Sequence, residues 1–102
     1  MSFAFPRRFL RPQWVVSDSG FEVKFLGMIK VSYSEGEKSV WFWAEPAIMV
    51  RGKFKGRSGW LISLSKPSPW NDGTLLTQEE RKTIQDRTRA ALEFMHVPYT
   101  EI

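Results

Sequence analysis

The chain has 102 residues, a length that fits one domain with a single core, and we expect residues 1–102 to fold as one unit. Hydrophobic residues make up 42% and charged residues 25%, proportions that exclude wholesale disorder. The absence of cysteine and the presence of a single histidine exclude disulfide frameworks, thiol catalysis and Cys/His metal sites. We expect a cytoplasmic protein, since the sequence shows neither the apolar run of a secretory signal nor the ~20 apolar residues of a membrane span.

The net charge of +4 is unevenly distributed along the chain. Seven of the 15 basic residues lie in two segments that contain no acidic residue: Arg7, Arg8, Arg11, Arg51, Lys53, Lys55 and Arg57. Positive charge concentrated in this way makes each segment a candidate surface feature.

Residues 13–65 predict a series of antiparallel strands, after an aromatic and basic arm at residues 1–12 to which no regular structure is assigned. Trp14-Val15-Val16 predicts a short strand. From residue 21 to residue 33 apolar and polar residues alternate, with an interruption at Leu26-Gly27 that indicates a bulge, bend or hairpin turn.

The next strands are separated by a tight turn at Glu35-Gly36-Glu37. Ser39 to Glu45 predicts a strand that Pro46 ends or kinks. Another strand is expected from Trp60 to Ser65, and the proline-rich segment 66–73 predicts a loop whose Trp70 fills the junction between helix and sheet.

A helix is predicted over residues 77–96. Thr77 and Glu80 have the spacing of a capping box. Five residues form one apolar stripe at helical spacing: Ile84, Thr88, Ala91, Leu92 and Met95. With a closing strand at 97–102, the sequence predicts an α+β fold, in which one antiparallel sheet of about five or six strands carries one C-terminal amphipathic helix.

The sequence offers few residues that could act in catalysis, and we expect neither an enzyme nor a metal or cofactor site. His96 has no second histidine or cysteine to pair with and is interpreted as a cation at the helix C-terminus. Paired carboxylates at residues 35 and 37 and at residues 79 and 80 are explained by a turn and by the first turn of the helix.

The basic segment 51–57 leaves three interpretations open. If it is extended, its cations Arg51, Lys53, Lys55 and Arg57 project from one face about 6–7 Å apart, close to the spacing of phosphates along a nucleic-acid strand. It could equally face an acidic protein or be a solvated hairpin tip. Phe54 lies at its centre and could supply stacking.

Trp41 and Trp43 lie on the face of their strand opposite to Val40 and Phe42. Either the N-terminal arm covers these tryptophans, or they form an exposed patch of the kind that marks interfaces. The sequence leaves both arrangements open.

The C-terminal half resembles small bacterial immunity proteins, which neutralise the toxins of contact-dependent growth inhibition and related polymorphic toxin systems. The resemblance covers about 45 residues and lies in the strand Trp60-Leu61-Ile62-Ser63-Leu64, the Pro-x-Pro-Trp loop, the phrase Leu75-Leu76-Thr77-Gln78-Glu79-Glu80-Arg81 and the helix leading into Tyr99-Thr100-Glu101-Ile102. It implies a cytosolic, non-enzymatic protein that binds the toxin domain of its own system. The basic charge of this chain argues against mimicry of nucleic acid.

The leading hypothesis is therefore an immunity protein that binds a cognate toxin domain and covers its active site or substrate surface. The alternative is a small nucleic-acid-binding module. Both hypotheses use the same candidate residues: Trp41, Trp43, Arg51, Lys53, Phe54, Lys55 and Arg57.

Overall fold

The computed structural model describes residues 7–8, 14–26 and 30–102, and in this part of the chain one sheet is covered by one helix. The arm expected at residues 1–12 and the interruption expected at Leu26-Gly27 lie largely outside the described residues. The elements are β1 (Arg7–Arg8), β2 (Trp14–Val16), β3 (Phe21–Leu26), β4 (Lys30–Glu35), β5 (Lys38–Ile48), β6 (Ser58–Ile62), α1 (Gln78–Phe94) and β7 (Tyr99–Glu101).

The strands lie side by side in sequence order, and every neighbouring pair from β1 to β6 is antiparallel. Strand β7 pairs with β6 in the parallel direction. Parallel neighbours need a crossover connection, and the segment that contains α1 provides it. The predicted α+β fold is confirmed, with a mostly antiparallel sheet in which β1 has only two residues.

The turn between β4 and β5 is as tight as the sequence predicts. Glu35 pairs with Lys38, so that Gly36 and Glu37 alone form the turn. Gly36 has a φ of 59°, a conformation that glycine adopts without strain from a side chain.

Strand β5 runs through Pro46, where the sequence indicated an end or a kink. Its first half pairs with β4 as far as Trp43, and its second half pairs with β6. Pro46 lies opposite Trp60, whose N–H is donated to the Pro98 carbonyl on the other side of β6. The Pro46 nitrogen therefore points away from β6, and the missing N–H removes no bond of the β5–β6 ladder.

The inner face of the sheet packs against α1 and forms the core. Its buried residues alternate along the strands: Val15, Phe21, Val23, Val31, Tyr33, Val40, Phe42, Ala44 and Ile62. The five residues of the predicted helix stripe are all buried as well: Ile84, Thr88, Ala91, Leu92 and Met95. Full burial of a side chain such as Ile84 or Leu92 contributes about 1.5–3 kcal/mol, so this stripe holds the helix on the sheet.

Arg87 adds a polar link between the helix and the sheet. Its Nη1 donates a hydrogen bond of 2.9 Å to the hydroxyl of Tyr33, and its guanidinium lies 4.8 Å from the centre of the Phe21 ring. The Glu35 carboxylate is 3.7 Å away. Burial raises the pKa of Tyr33 above its ordinary value, while the hydrogen bond from Arg87 opposes that rise.

The capping box at the start of α1 is present. The Glu80 N–H donates to Thr77 Oγ1 at 3.1 Å, and the Thr77 N–H donates to the Glu80 carboxylate at 2.9 Å. The second of these bonds is the main cause of the lowered pKa of Glu80. The helix ends two residues before the predicted limit, because His96 adopts a positive φ of 57° after the C-cap residue Met95.

The loop after β6 runs along the first half of β5 and satisfies its backbone. Ser68 donates its N–H to the Trp41 carbonyl, and its hydroxyl accepts the Trp41 N–H, both at 2.9 Å. Asn71 exchanges similar bonds with Ser39. Trp70 is buried between sheet and helix, as predicted, and its indole N–H points to Glu80.

Candidate binding surfaces

The outer face of the sheet, opposite to α1, presents Trp41 and Trp43. Their rings meet edge to face with centroids 5.2 Å apart, and Trp43 is 53% exposed. With Leu61 and Ile102, Trp43 lines a shallow hollow of about 190 Å³ that Glu45 and Ser63 border. We refer to Trp41, Trp43, Leu61 and Ile102 as the tryptophan face. Of the two arrangements that the sequence left open, the exposed one applies to Trp43.

Two lysines on the same side of the sheet lie against tryptophan rings. Lys30 Nζ is 4.6 Å from the centre of a Trp41 ring, and Lys24 Nζ is 4.3 Å from a Trp14 ring. Contacts of this kind contribute about 0.5–1 kcal/mol at exposed sites. Each lysine also takes up ring surface that a stacking ligand would need, which leaves Trp43 as the accessible ring of the pair in β5.

The basic segment 51–57 is a compact turn, and the extended arrangement considered from the sequence is wrong. Its ends are joined by two hydrogen bonds, from Met49 N–H to the Arg57 carbonyl and from Gly56 N–H to the Met49 carbonyl. Gly52 and Gly56 have φ values of 84° and 83°, and these left-handed conformations allow the segment to turn tightly. The regular spacing of its cations along a strand, which matched phosphates, therefore does not occur.

A groove of about 480 Å³ separates this turn from the C-terminal end of the helix and β7. Its lining combines cationic, acidic and apolar side chains: Met49, Arg51, Gly52, Lys53, Phe54, Glu93, His96, Val97, Tyr99 and Glu101. We call it the hairpin groove. It gathers residues from two segments that are far apart in the sequence, 49–54 and 93–101.

The acidic side of the hairpin groove is partly neutralised from within the protein. Arg89 holds the Glu101 carboxylate by two hydrogen bonds, of 2.7 and 3.0 Å. Burial, with Glu101 and Glu93 nearby, raises the pKa of Tyr99 to about 12, so its phenol is un-ionised at neutral pH.

His96 lines the hairpin groove at the end of α1. It occupies the residue after the helix C-cap, and its backbone N–H donates to the Glu93 carbonyl at 3.0 Å. Its imidazole is exposed and makes no hydrogen bond or ion pair with the described residues. The base–orienter pair on which nucleophilic and acid–base sites depend is therefore not formed within this part of the chain.

The seven residues proposed from the sequence fall on two separate surfaces. Trp41 and Trp43 belong to the tryptophan face, whereas Arg51, Lys53 and Phe54 line the hairpin groove. Lys55 and Arg57 are exposed on the same turn without lining the groove.

Sequence reasoning did not assign Leu61 and Ile102 to the surface around Trp43, or Glu93 and Tyr99 to the groove. Leu61 is brought beside Trp43 by the antiparallel pairing of β5 with β6, whereas Ile102, Glu93 and Tyr99 are placed by the end of α1 and by the parallel pairing of β6 with β7. The strand predicted at residues 97–102 was the one signal in the sequence for these positions. Local sequence did not specify which strand it pairs with or in which direction.

Neither metal sites nor membrane-spanning helices were found where the structure could be searched. In residues 7–8, 14–26 and 30–102, no three His, Asp or Glu side chains are grouped so that they could hold a metal ion. No helix in the same ranges is both long enough and apolar enough to cross a membrane. Compared with protein-family models, curated protein sequences and solved structures, the chain matches none of them.

Proposed function

We propose that this protein is a non-catalytic binding domain that docks a protein partner on its tryptophan face. The observation that carries the proposal is the exposure of 53% of Trp43 at the edge of a shallow apolar hollow. A tryptophan left half in water at the edge of such a hollow gives a large rigid contact area at a small cost in side-chain entropy.

The lining of the hollow suits an anchor in a protein interface. Its apolar residues Trp43, Ala44, Leu61 and Ile102 line it together with Glu45 and Ser63. Large apolar side chains with a few polar neighbours are typical of the anchors in protein interfaces.

The partner surface should be acidic. Lys24 and Lys30 flank the tryptophans, and Lys55 and Arg57 are exposed on the basic turn. Within the described residues none of these four cations forms a salt bridge, so their charges remain available to another molecule. Charges of this kind mainly accelerate association and select partners, while the buried tryptophan contact slows dissociation.

The specific form that we propose is immunity: a cytoplasmic protein that covers the active site or substrate surface of a cognate bacterial toxin domain. Support for this form comes from the resemblance of residues 60–102 to small immunity proteins. The same segment contributes Leu61 and Ile102 to the tryptophan face. The part of the chain that resembles immunity proteins therefore also forms part of the proposed docking surface.

A nucleic-acid-binding module is the second candidate, because one sheet face combines Trp14, Trp41 and Trp43 with two lysines. Open sheets with aromatic side chains are a common platform for single-stranded nucleic acids. The lysines that lie on two of these rings and the compact form of the basic turn weaken this candidate. Retention of single-stranded DNA or RNA at low salt, with a steep log-linear loss as salt rises, would favour it.

The decisive experiment pairs this protein with the product of the gene immediately upstream, which the proposal expects to end in a toxin domain. Co-expression should rescue the growth of cells that produce that toxin domain, and the purified proteins should form a complex measurable by calorimetry. Trp43→Ala should weaken the complex by about 30-fold or more, the effect of losing an interface anchor worth at least 2 kcal/mol.

Leu75→Ala is the matched control, since Leu75 is also a large apolar residue, 80% exposed, but lies in the loop before α1. This variant should bind within about twofold of the unmodified protein. Trp43→Ala should stay folded, because the edge-to-face packing of Trp43 on Trp41 stabilises the domain by only about 0.5–1.5 kcal/mol. Equal affinities of the two folded variants would reject the tryptophan face, and a chain that neither binds nor protects would reject immunity.

A further inference from the structure

The hairpin groove is distinct from the tryptophan face and has its own chemistry. The basic turn forms one wall, and the end of α1 with β7 forms the other. Its volume of about 480 Å³ lies in the range of pockets that bind small molecules.

The cationic wall consists of Arg51 and Lys53, which stand on either side of Gly52. Both side chains are exposed, and neither forms an ion pair with the described residues. Two neighbouring cations at the mouth of a groove are suited to a phosphate or carboxylate group.

The opposite wall limits the size of the anion. Glu101 is already held by Arg89 and does not compete for Arg51 and Lys53, but Glu93 remains exposed beside it. A long polyanion laid through the groove would bring phosphates close to these carboxylates, whereas a ligand with one anionic group would not.

The remaining lining is apolar and partly aromatic. Phe54 and Tyr99 are half-buried, Met49 is buried, and Val97 adds an aliphatic side chain. Thr100 Oγ1 contacts Met49 Sδ at 3.6 Å, which joins the base of the turn to β7 and keeps the two walls together. An aromatic body could rest here while its anionic group points to the cations.

We propose that the hairpin groove binds a small aromatic anion, with its phosphate or carboxylate on Arg51 and Lys53 and its ring against Tyr99 and Val97. Two sources share this chemistry: a mononucleotide and an aromatic carboxylic acid. Either would occupy the groove independently of a protein on the tryptophan face.

The test is a titration followed by amide chemical shifts in NMR, with adenosine 5′-monophosphate, phenylacetate and methyl phosphate as separate probes. At least one aromatic probe should bind with a Kd of about 1 mM or tighter, as expected for a ligand of this size. The largest shifts should fall in residues 51–54 and 93–101. Methyl phosphate, which has the charge without the ring, should bind several-fold more weakly.

Lys53→Glu and Lys55→Glu form a matched pair, because both reverse one charge on the same turn but only Lys53 lines the groove. At physiological salt, where exposed charges are screened over about 8 Å, Lys53→Glu should weaken the aromatic probe about tenfold and Lys55→Glu less than twofold. Lys53→Arg should retain binding. Equal losses in the two Glu variants, equal binding of methyl phosphate, or failure of both aromatic probes would each overturn the proposal.

Discussion

Gly59 is the position at which a single methyl group should most clearly disturb the fold. It lies in β6 beside the parallel strand β7, and a Cβ built there would be 2.4 Å from the carbonyl oxygen of Pro98 and 2.9 Å from the Pro98 Cβ. Ordinary contacts of a Cβ begin near 3.4 Å, so the Pro98 backbone would have to move by about 1 Å.

That movement has two consequences for the free energy of unfolding. The Pro98 carbonyl accepts the Trp60 N–H at 3.0 Å, and a shift of this size breaks the bond, at a cost of about 1 kcal/mol. Overpacking adds about 1–3 kcal/mol. Replacing glycine also reduces the conformational entropy of the unfolded chain, which stabilises the folded protein by about 0.4–1 kcal/mol. The net prediction for Gly59→Ala is a loss of about 1–3.5 kcal/mol, or roughly 4–28 °C in Tm for a domain of this size.

Urea unfolding followed by tryptophan fluorescence measures this loss, with Ser58→Ala as the control. Ser58 is exposed in the same strand, and its replacement should change the free energy of unfolding by less than about 0.5 kcal/mol. A Gly59→Ala protein within about 0.5 kcal/mol of the unmodified chain would refute the close contact between β6 and the segment that enters β7.

Two further predictions concern the helix cap and the tyrosines. Thr77→Ala removes the hydroxyl that accepts the Glu80 N–H and should lower the free energy of unfolding by about 1 kcal/mol, as measured by thermal melts. Thr77→Ser keeps a hydroxyl and should retain most of this free energy. A change below about 0.3 kcal/mol in Thr77→Ala would contradict the cap. The pKa values of Tyr33 and Tyr99 are both raised by burial, that of Tyr99 to about 12. Their contribution to stability is therefore complete below pH 10 and is lost as pH rises above it, for Tyr99 as pH passes about 12. Absorbance of tyrosinate during alkaline titration checks this, and ionisation of both residues near pH 10 would contradict the described burial.

The helix and its buried face could be predicted because their signals are local. Thr77 and Glu80 are three residues apart and stabilise the same turn, and the apolar stripe repeats with the helical period. The alternation from Phe21 to Tyr33 similarly identified buried positions of β3 and β4, since a strand exposes its two faces in turn.

The features that escaped prediction depend on contacts between distant segments. Pro46 is tolerated within β5 because its nitrogen points away from β6, so that the missing N–H removes no bond of the β5–β6 ladder. The hairpin groove requires the turn after β5 to meet the end of α1, and the parallel direction of β7 determines which of its side chains face that groove. The pattern of residues 51–57 alone could not indicate that this turn lies against the end of α1 and β7.

The separation of the two surfaces also changes the role of the cations in the proposed protein complex. Lys55 lies outside both the hairpin groove and the tryptophan face. Its charge therefore acts on an acidic partner mainly by long-range electrostatic attraction. Loss of such a charge slows association and reduces its dependence on salt, whereas loss of the Trp43 anchor accelerates dissociation. The rate constants of Lys55→Glu and Trp43→Ala with one partner therefore distinguish steering from docking, and an unchanged dissociation rate in Trp43→Ala would move the interface away from the outer face of the sheet.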